Sequence, residues 1–142
     1  MGGSMPDPMP TYPIQYAKVQ PPPLRDETLT RDRLLDRLHA KIHSRVILIL
    51  ADAGYGKTTL LADFARRTRL RTLWYRLDDD DLDWTAILHH LVAAGREHDP
   101  GFAPATLAML AETGISGPSR EAVLEVFIRE LPTIAPNGAV LI

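Results

Sequence analysis

Residues 46–64 read Val46-Ile47-Leu48-Ile49-Leu50-Ala51-Asp52-Ala53-Gly54-Tyr55-Gly56-Lys57-Thr58-Thr59-Leu60-Leu61-Ala62-Asp63-Phe64. The apolar run that opens this stretch predicts a buried strand, and the run after Lys57 predicts a helix. Between them lies a glycine loop ending in Gly-Lys-Thr, the setting of a phosphate-binding P-loop. Gly54 and Gly56 allow positive φ, so that successive N–H groups point into one concavity. The helix start adds its dipole and its unsatisfied N–H groups to the same anion site. Lys57 would reach the β- and γ-phosphates of ATP or ADP, and the Thr58 hydroxyl would ligate Mg²⁺. The candidate nucleotide cradle is therefore Ala51, Asp52, Ala53, Gly54, Tyr55, Gly56, Lys57, Thr58 and Thr59. Ala51 stands where the strict pattern has Gly, at a place that needs only a small side chain.

The rest of the composition sets bounds. The chain has 142 residues, 45% of them hydrophobic, enough for the core of one domain. It contains no cysteine, so neither a disulfide framework nor a thiolate metal site is available. A net charge of −2 argues against a wholesale polyanion-binding surface. No apolar run approaches the roughly 18 residues of a membrane span, no secretory signal opens the chain, and the cytoplasm is the default location. Met1-Gly2-Gly3-Ser4-Met5 reads as an expression scar (residues 1–5) ahead of a start at Met5.

Residues 6–29 form a proline-rich lead-in, expected to be extended and polyproline-like, on or beside the domain. Thr30 is placed to cap a helix whose apolar face is Leu34, Leu35, Leu38 and Ile42. A second strand is expected over 72–77, ending in Asp78-Asp79-Asp80-Asp81. Asp83 is placed to cap a helix with Ile87, Leu88, Leu91 and Val92 inward, broken at Gly95 and Asp99-Pro100-Gly101. One short helix is expected over 104–112. Another, capped by Ser119, should run to Leu131 with Val123, Val126, Phe127 and Ile128 inward. A third strand starts at Ala139. Strands alternating with helices give an α/β class with a parallel sheet.

Arg31-x-Arg33-Leu34-Leu35, then Ala53-Gly54-Tyr55-Gly56-Lys57-Thr58-Thr59-Leu60, then Trp74-x-x-Leu77-Asp78 with Asp81 and Asp83, resemble the nucleotide-binding domain of MalT-type and LuxR-type large regulators. These are STAND-class P-loop ATPases, and the resemblance covers about residues 21–142. It implies a three-layer P-loop NTPase domain that acts as a nucleotide-controlled oligomerisation switch, in a transcriptional regulator. It also implies self-association of the whole protein on activation, and contact with DNA only through a domain outside these residues. The segment before the first helix passes beside the adenine in such proteins, which makes Arg31 and Arg33 candidate nucleotide contacts; solvated helix-start residues are the alternative. Leu82-Asp83-Trp84 stands where the family often has Asn-Asp-Pro, a departure that bears on subfamily.

The resemblance also implies what to look for and not find. The family's third strand ends in the acidic Walker B pair, which is due just after Val140-Leu141-Ile142. On this reading residues 30–142 are the N-terminal part of the domain, incomplete before Walker B, with no catalytic residue of their own. ATP hydrolysis would then belong to the parent protein. Two other classes stay open: a small-molecule or nucleoside kinase of P-loop type, and a non-catalytic interaction fragment. A kinase needs arginines in a lid, and residues 100–120 carry only Arg120.

Other groups read more plainly. The aspartate run lacks the glycine turn and closing glutamate of a calcium loop, so a solvated loop is expected, with a structural role open to Asp78. His89 and His90 are adjacent and so fall on different helix faces. His39 and His43 share a face and are expected at the surface. Trp74 is expected in the core, and Trp84 either in the core or at an interface.

Overall fold

A computed structural model describes residues 12–25, 29–44, 46–54, 56–112 and 115–142. The scar reading of residues 1–5 and the place of Tyr55 in the loop lie outside the described residues. The described elements are helix α1 (Asp32–Ala40), α2 (Lys57–Arg67), strand β1 (Arg71–Leu73), α3 (Trp84–Arg96), α4 (Pro104–Ala111), α5 (Arg120–Glu130) and strand β2 (Ala139–Leu141). Single 3₁₀ turns occur at Tyr16–Lys18 and Leu131–Thr133.

The chain is α/β, with a small parallel sheet. β1 pairs with β2 in the register Arg71↔Ala139, Thr72↔Val140 and Leu73↔Leu141. Ile142 N–H donates to the Leu73 carbonyl at 2.9 Å, and Tyr75 N–H to the Ile142 carbonyl at 2.8 Å, which carries the ladder beyond both strands. A parallel pair needs a long crossover, and α3, α4 and α5 supply it.

Most of the helix starts follow their sequence signals. Asp83 caps α3 by accepting from Thr85 N–H at 3.0 Å, and Ser119 caps α5 by accepting from Ala122 N–H at 3.2 Å. The start of α4 has no such residue at its own boundary. Glu130 from the end of α5 accepts instead from Ala105 N–H at 2.9 Å and Thr106 N–H at 3.0 Å. Leu88, Leu91, Val92, Leu110, Val123 and Phe127 then close one core, with Val19, Leu73, Phe102 and Ile134. Leu35, Leu38, Leu60 and Phe64 form a second, smaller one between α1 and α2, onto which Leu34, Ile42 and Ile49 pack.

Five expectations are corrected. Residues 46–50 form no strand: they run extended with Val46 81%, Leu48 76% and Leu50 80% exposed, and only Ile49 turns to the smaller core. Apolar residues alone do not make a strand, because its backbone groups need a ladder partner, and none of the described residues provides one. Thr30 does not cap α1. Arg31 holds that position without a side-chain hydrogen bond, and Thr30 Oγ1 accepts instead from Arg67 Nη2 at 3.4 Å. α3 ends at Arg96, ahead of Asp99-Pro100-Gly101 as expected, but Gly95 itself lies within its last turn, where the space a Cβ would need is taken by the Phe102 ring, 2.2 Å away. Ile128 is 61% exposed, since α5 buries only the Val123 and Phe127 side fully. The lead-in lies on the domain as expected, with Val19 buried in the main core, but a 3₁₀ turn at Tyr16–Lys18 interrupts the expected extended run. No helix of the described residues is long and apolar enough to cross a membrane.

Candidate functional site

The loop ahead of α2 has the backbone geometry its glycines allow. Gly54 has φ +91° and Gly56 φ +76°, both in the region that other residues rarely enter. Gly56 serves as the N-cap of α2 with no side chain accepting from the first turn, and its carbonyl receives Leu60 N–H at 2.9 Å. The first N–H groups of α2, like those of α1, are thus left without a side-chain cap, whereas those of α3, α4 and α5 are met by Asp83, Glu130 and Ser119. An uncapped first turn after a left-handed glycine is a place for an anion.

The side chains around the loop come from three places. Lys57 Nζ donates back to the Ala51 carbonyl, which folds the lysine over the loop. Arg31 reaches the same point from the start of α1: a Cβ added to Gly56 would stand 3.3 Å from Arg31 Nη2. Thr58 and Thr59 are exposed in the first turn of α2, as are Ala51, Asp52, Ala53 and Gly54 in the loop. Arg33 is exposed and makes no hydrogen bond or ion pair with any described residue, so the structure joins Arg31 to the loop and not Arg33. Arg67 at the far end of α2 fixes the two helices together. It donates to Asp63 at 2.9 Å and lies 3.7 Å from Asp32, beside Arg31. The burial of Leu35, Leu38, Leu60 and Phe64 completes that joint, and so holds Arg31 near Gly56.

The aspartate run is engaged elsewhere. Lys18 Nζ lies 2.9 Å from both Asp78 Oδ2 and Asp81 Oδ2, and Asp81 also accepts the Asp78 N–H at 2.9 Å. That backbone bond, with the lysine behind it, holds the Asp81 carboxyl far below the usual carboxylate range against the effect of its burial. The two carboxylates in turn raise the Lys18 pKa, Asp78 most. Tyr75 lies beside them, its hydroxyl buried without a hydrogen bond of regular geometry; burial first and Asp81 second push its pKa up. Asp78, Asp79 and Asp80 are exposed, as a solvated loop would be, while Asp78 and Asp81 hold Lys18. Among the described residues no three His, Cys, Asp or Glu side chains converge as a metal site would need.

Sequence reasoning missed Lys18 and His90. His90 is 3% exposed, and its Nε2 accepts Gln15 N–H at 3.3 Å. Lys18 is the lone Lys or Arg within residues 6–23, and the acidic run is its natural complement, so charge pairing could have signalled the contact. Trp74 is buried as expected, and Trp84 packs half-buried against the main core.

With this geometry in place, comparison with known proteins adds one finding. The chain is 34% identical over 116 residues to proteins named serine/threonine-protein kinase PknK from Mycobacterium tuberculosis, strains CDC 1551 and H37Rv, and from Mycobacterium bovis. The match takes in 80% of this chain but 10% of each of those proteins, so the chain spans about a tenth of the length of the curated relatives it matches. No family model matches the chain. No solved structure matches it either.

Proposed function

We propose that residues 51–59, with Arg31, bind the phosphates of ATP or ADP, and that the chain is the nucleotide-binding part of a STAND-class P-loop ATPase. The observation that carries this reading is the uncapped N-terminus of α2 behind two positive-φ glycines, with the Arg31 guanidinium beside the second. Backbone N–H groups, a helix dipole and two cations then face one point, the arrangement a polyphosphate requires. The residues present fit Mg²⁺ as the nucleotide's companion: Thr58 is exposed in the first turn, where its hydroxyl can reach a bound ion. When bound, Mg·ATP supplies the bond to be cleaved or the charge to be sensed. The chain's own residues bind and orient: Lys57 leaves the Ala51 carbonyl for the phosphates, Arg31 closes from the α1 side, and the glycine backbone lets the phosphates approach.

The parallel pairing of β1 with β2 across a helical crossover is the coarse α/β feature that supports this reading. In that reading the whole protein is a switch that oligomerises with ATP, contacts DNA through another domain, and works in the cytoplasm.

The relatives' name, serine/threonine-protein kinase, suggests a second reading, transfer of phosphate to a protein. Protein kinases place a glycine-rich G-x-G-x-x-G loop over the phosphates, and carry His-Arg-Asp and Asp-Phe-Gly motifs for the base and the metal. None of these motifs occurs in the 142 residues. Gly-Lys-Thr at a helix start is the other phosphate-binding solution, and it is the feature of these residues that supports the switch. Calorimetric titration with ATP and with ADP, with and without Mg²⁺, tests the proposal. Saturable binding that Lys57→Ala weakens supports it, and an absence of binding by the folded chain overturns it.

A further inference from the structure

Residues 12–20 cross the outside of α3 as a strap fastened at both ends. Tyr12 stacks on His89, ring centroids 4.3 Å apart, and Gln15 N–H donates to His90 Nε2 at 3.3 Å. Farther along, Lys18 is fixed between Asp78 and Asp81, and Gln20 donates to Glu97 at 3.2 Å. Between the strap and α4 lies a groove of about 980 Å³, with α3 as its floor. That volume is in the range of small-molecule sites.

Two matched helix stripes build the groove. From α3 it is lined by His89, Val92, Ala93 and Arg96. From α4 it is lined by Pro104, Leu107, Ala108 and Ala111. Each set has the i, i+3, i+4, i+7 spacing of one helix face, so each runs about 10 Å along its axis. Alanine at 93, 108 and 111 leaves the space that larger side chains would fill. The walls are held apart from it: the strap by its fastenings, and α4 by Glu130, which accepts from Ala105 N–H and Thr106 N–H.

The lining decides what fits. N–H groups inside a helix are already bonded within it, and Pro13, Pro100 and Pro104 have none, so an extended peptide would find few backbone partners. An apolar chain needs none. One end of the groove is polar. Arg96 closes the α3 stripe half-buried, its Nε held on the Phe102 carbonyl at 2.9 Å, and its Nη groups have no partner among the described residues. Glu97 beside it also lines the groove, but it is exposed and takes the Gln20 amide. At the other end burial first and His90 second hold His89 toward its neutral form, with Asp83 opposing. We propose that the groove binds an aliphatic carboxylate, with the alkyl chain along the α3 and α4 stripes and the carboxylate on the Arg96 Nη groups. The site shares no residue with the loop 51–59 and does not depend on the nucleotide reading of that loop.

The test is titration of octanoate into the full chain, followed by backbone amide NMR. Shifts of Val92, Ala93, Leu107 and Ala108 should saturate with a Kd of about 1 mM or tighter. Octanol, the same chain without the charge, should bind roughly tenfold more weakly, as loss of a charge-assisted contact predicts. Arg96→Gln should bring octanoate down to the level of octanol and leave octanol unchanged. Ala108 is exposed, so Ala108→Trp fills the groove from outside the core and should abolish binding of both. An absence of saturable shifts overturns the site, as does binding that survives Ala108→Trp. If Arg96→Gln does not fold, the two ligands on the unaltered chain decide the headgroup, and octanol as tight as octanoate overturns carboxylate recognition. Shifts centred on Gly54 and Lys57, or octanoate displaced by ATP, would assign the anion to the loop and overturn the groove.

Discussion

Among the described residues, fourteen buried side chains close on one another around α3, α4 and α5, while four do so between α1 and α2. The two regions have comparable raw material: Val46, Leu48 and Leu50 in the second are as apolar as anything in the first, yet each is at least 76% exposed. The difference lies in closure. In the larger region every helix start has an acceptor, Gly95 makes room for Phe102, and β1 has β2. In the smaller one the helix start is open and the extended run has no ladder. The loop proposed to bind nucleotide sits in the less closed region, as expected of segments that must admit a ligand and move with it.

The sharpest way to break this comparison is to remove one large side chain from each region. Phe127→Ala should cost about 3–5 kcal/mol, the usual cost of truncating a buried phenylalanine, and should lower the thermal melt of the whole chain. Phe64→Ala deletes the same side chain from the smaller core and should act chiefly on α1 and α2, seen as local loss of exchange protection there. Circular dichroism melts that fall equally for both variants would show one cooperative unit rather than two regions of unequal closure.

Next in size is a change that leaves both cores intact. Lys57→Ala removes a charge-assisted contact to phosphate, a class of bond that contributes about 1.5–3 kcal/mol. ATP and ADP affinities should fall by roughly ten- to a hundredfold, by RT ln K, with the melting temperature unchanged. Unchanged affinity by calorimetry would sink the assignment of the loop.

These expectations also show which parts of the molecule could be read in the sequence. Asp83 and Ser119 were legible as caps because each bonds only to its own helix. The apolar faces of α1, α3 and most of α5 were legible from periodicity, and β2 from an apolar run after a turn. What failed involved partners far along the chain. The 46–50 run looks like a strand locally, but a strand is a statement about neighbours. Gly95 reads as a breaker until Phe102 is known to lie against it. Glu130 caps a helix that begins 26 residues earlier, at Pro104, and Lys18 finds Asp81 at a separation of 63. At the candidate site the loop was legible because its residues are contiguous. The choice of Arg31 over Arg33 was not, because it depends on how α1 docks on α2.

A smaller effect tests the metal. Thr58→Ala removes a hydroxyl that would ligate Mg²⁺, so it should weaken Mg·ATP binding more than metal-free ADP binding, with the difference below the loss caused by Lys57→Ala. Titrations that show equal losses for the two nucleotides would assign Thr58 to the phosphates or to the fold instead.

The least effect is expected where the apolar surface is greatest. Leu48 is 76% exposed in the 46–50 segment, so Leu48→Thr deletes little buried area. Threonine introduces a β-branched side chain, which a non-helical backbone accommodates. Urea denaturation should place the change within about 0.5 kcal/mol, the range of ordinary surface substitutions. The same change in a core residue such as Leu88 would cost several times that, because the lost methyl groups leave a cavity and the hydroxyl lacks a partner. The comparison therefore turns on concentration. If Leu48→Thr costs more than about 1 kcal/mol, and the cost grows with protein concentration, then 46–50 is covered by a second copy in solution, and the smaller core is completed between chains.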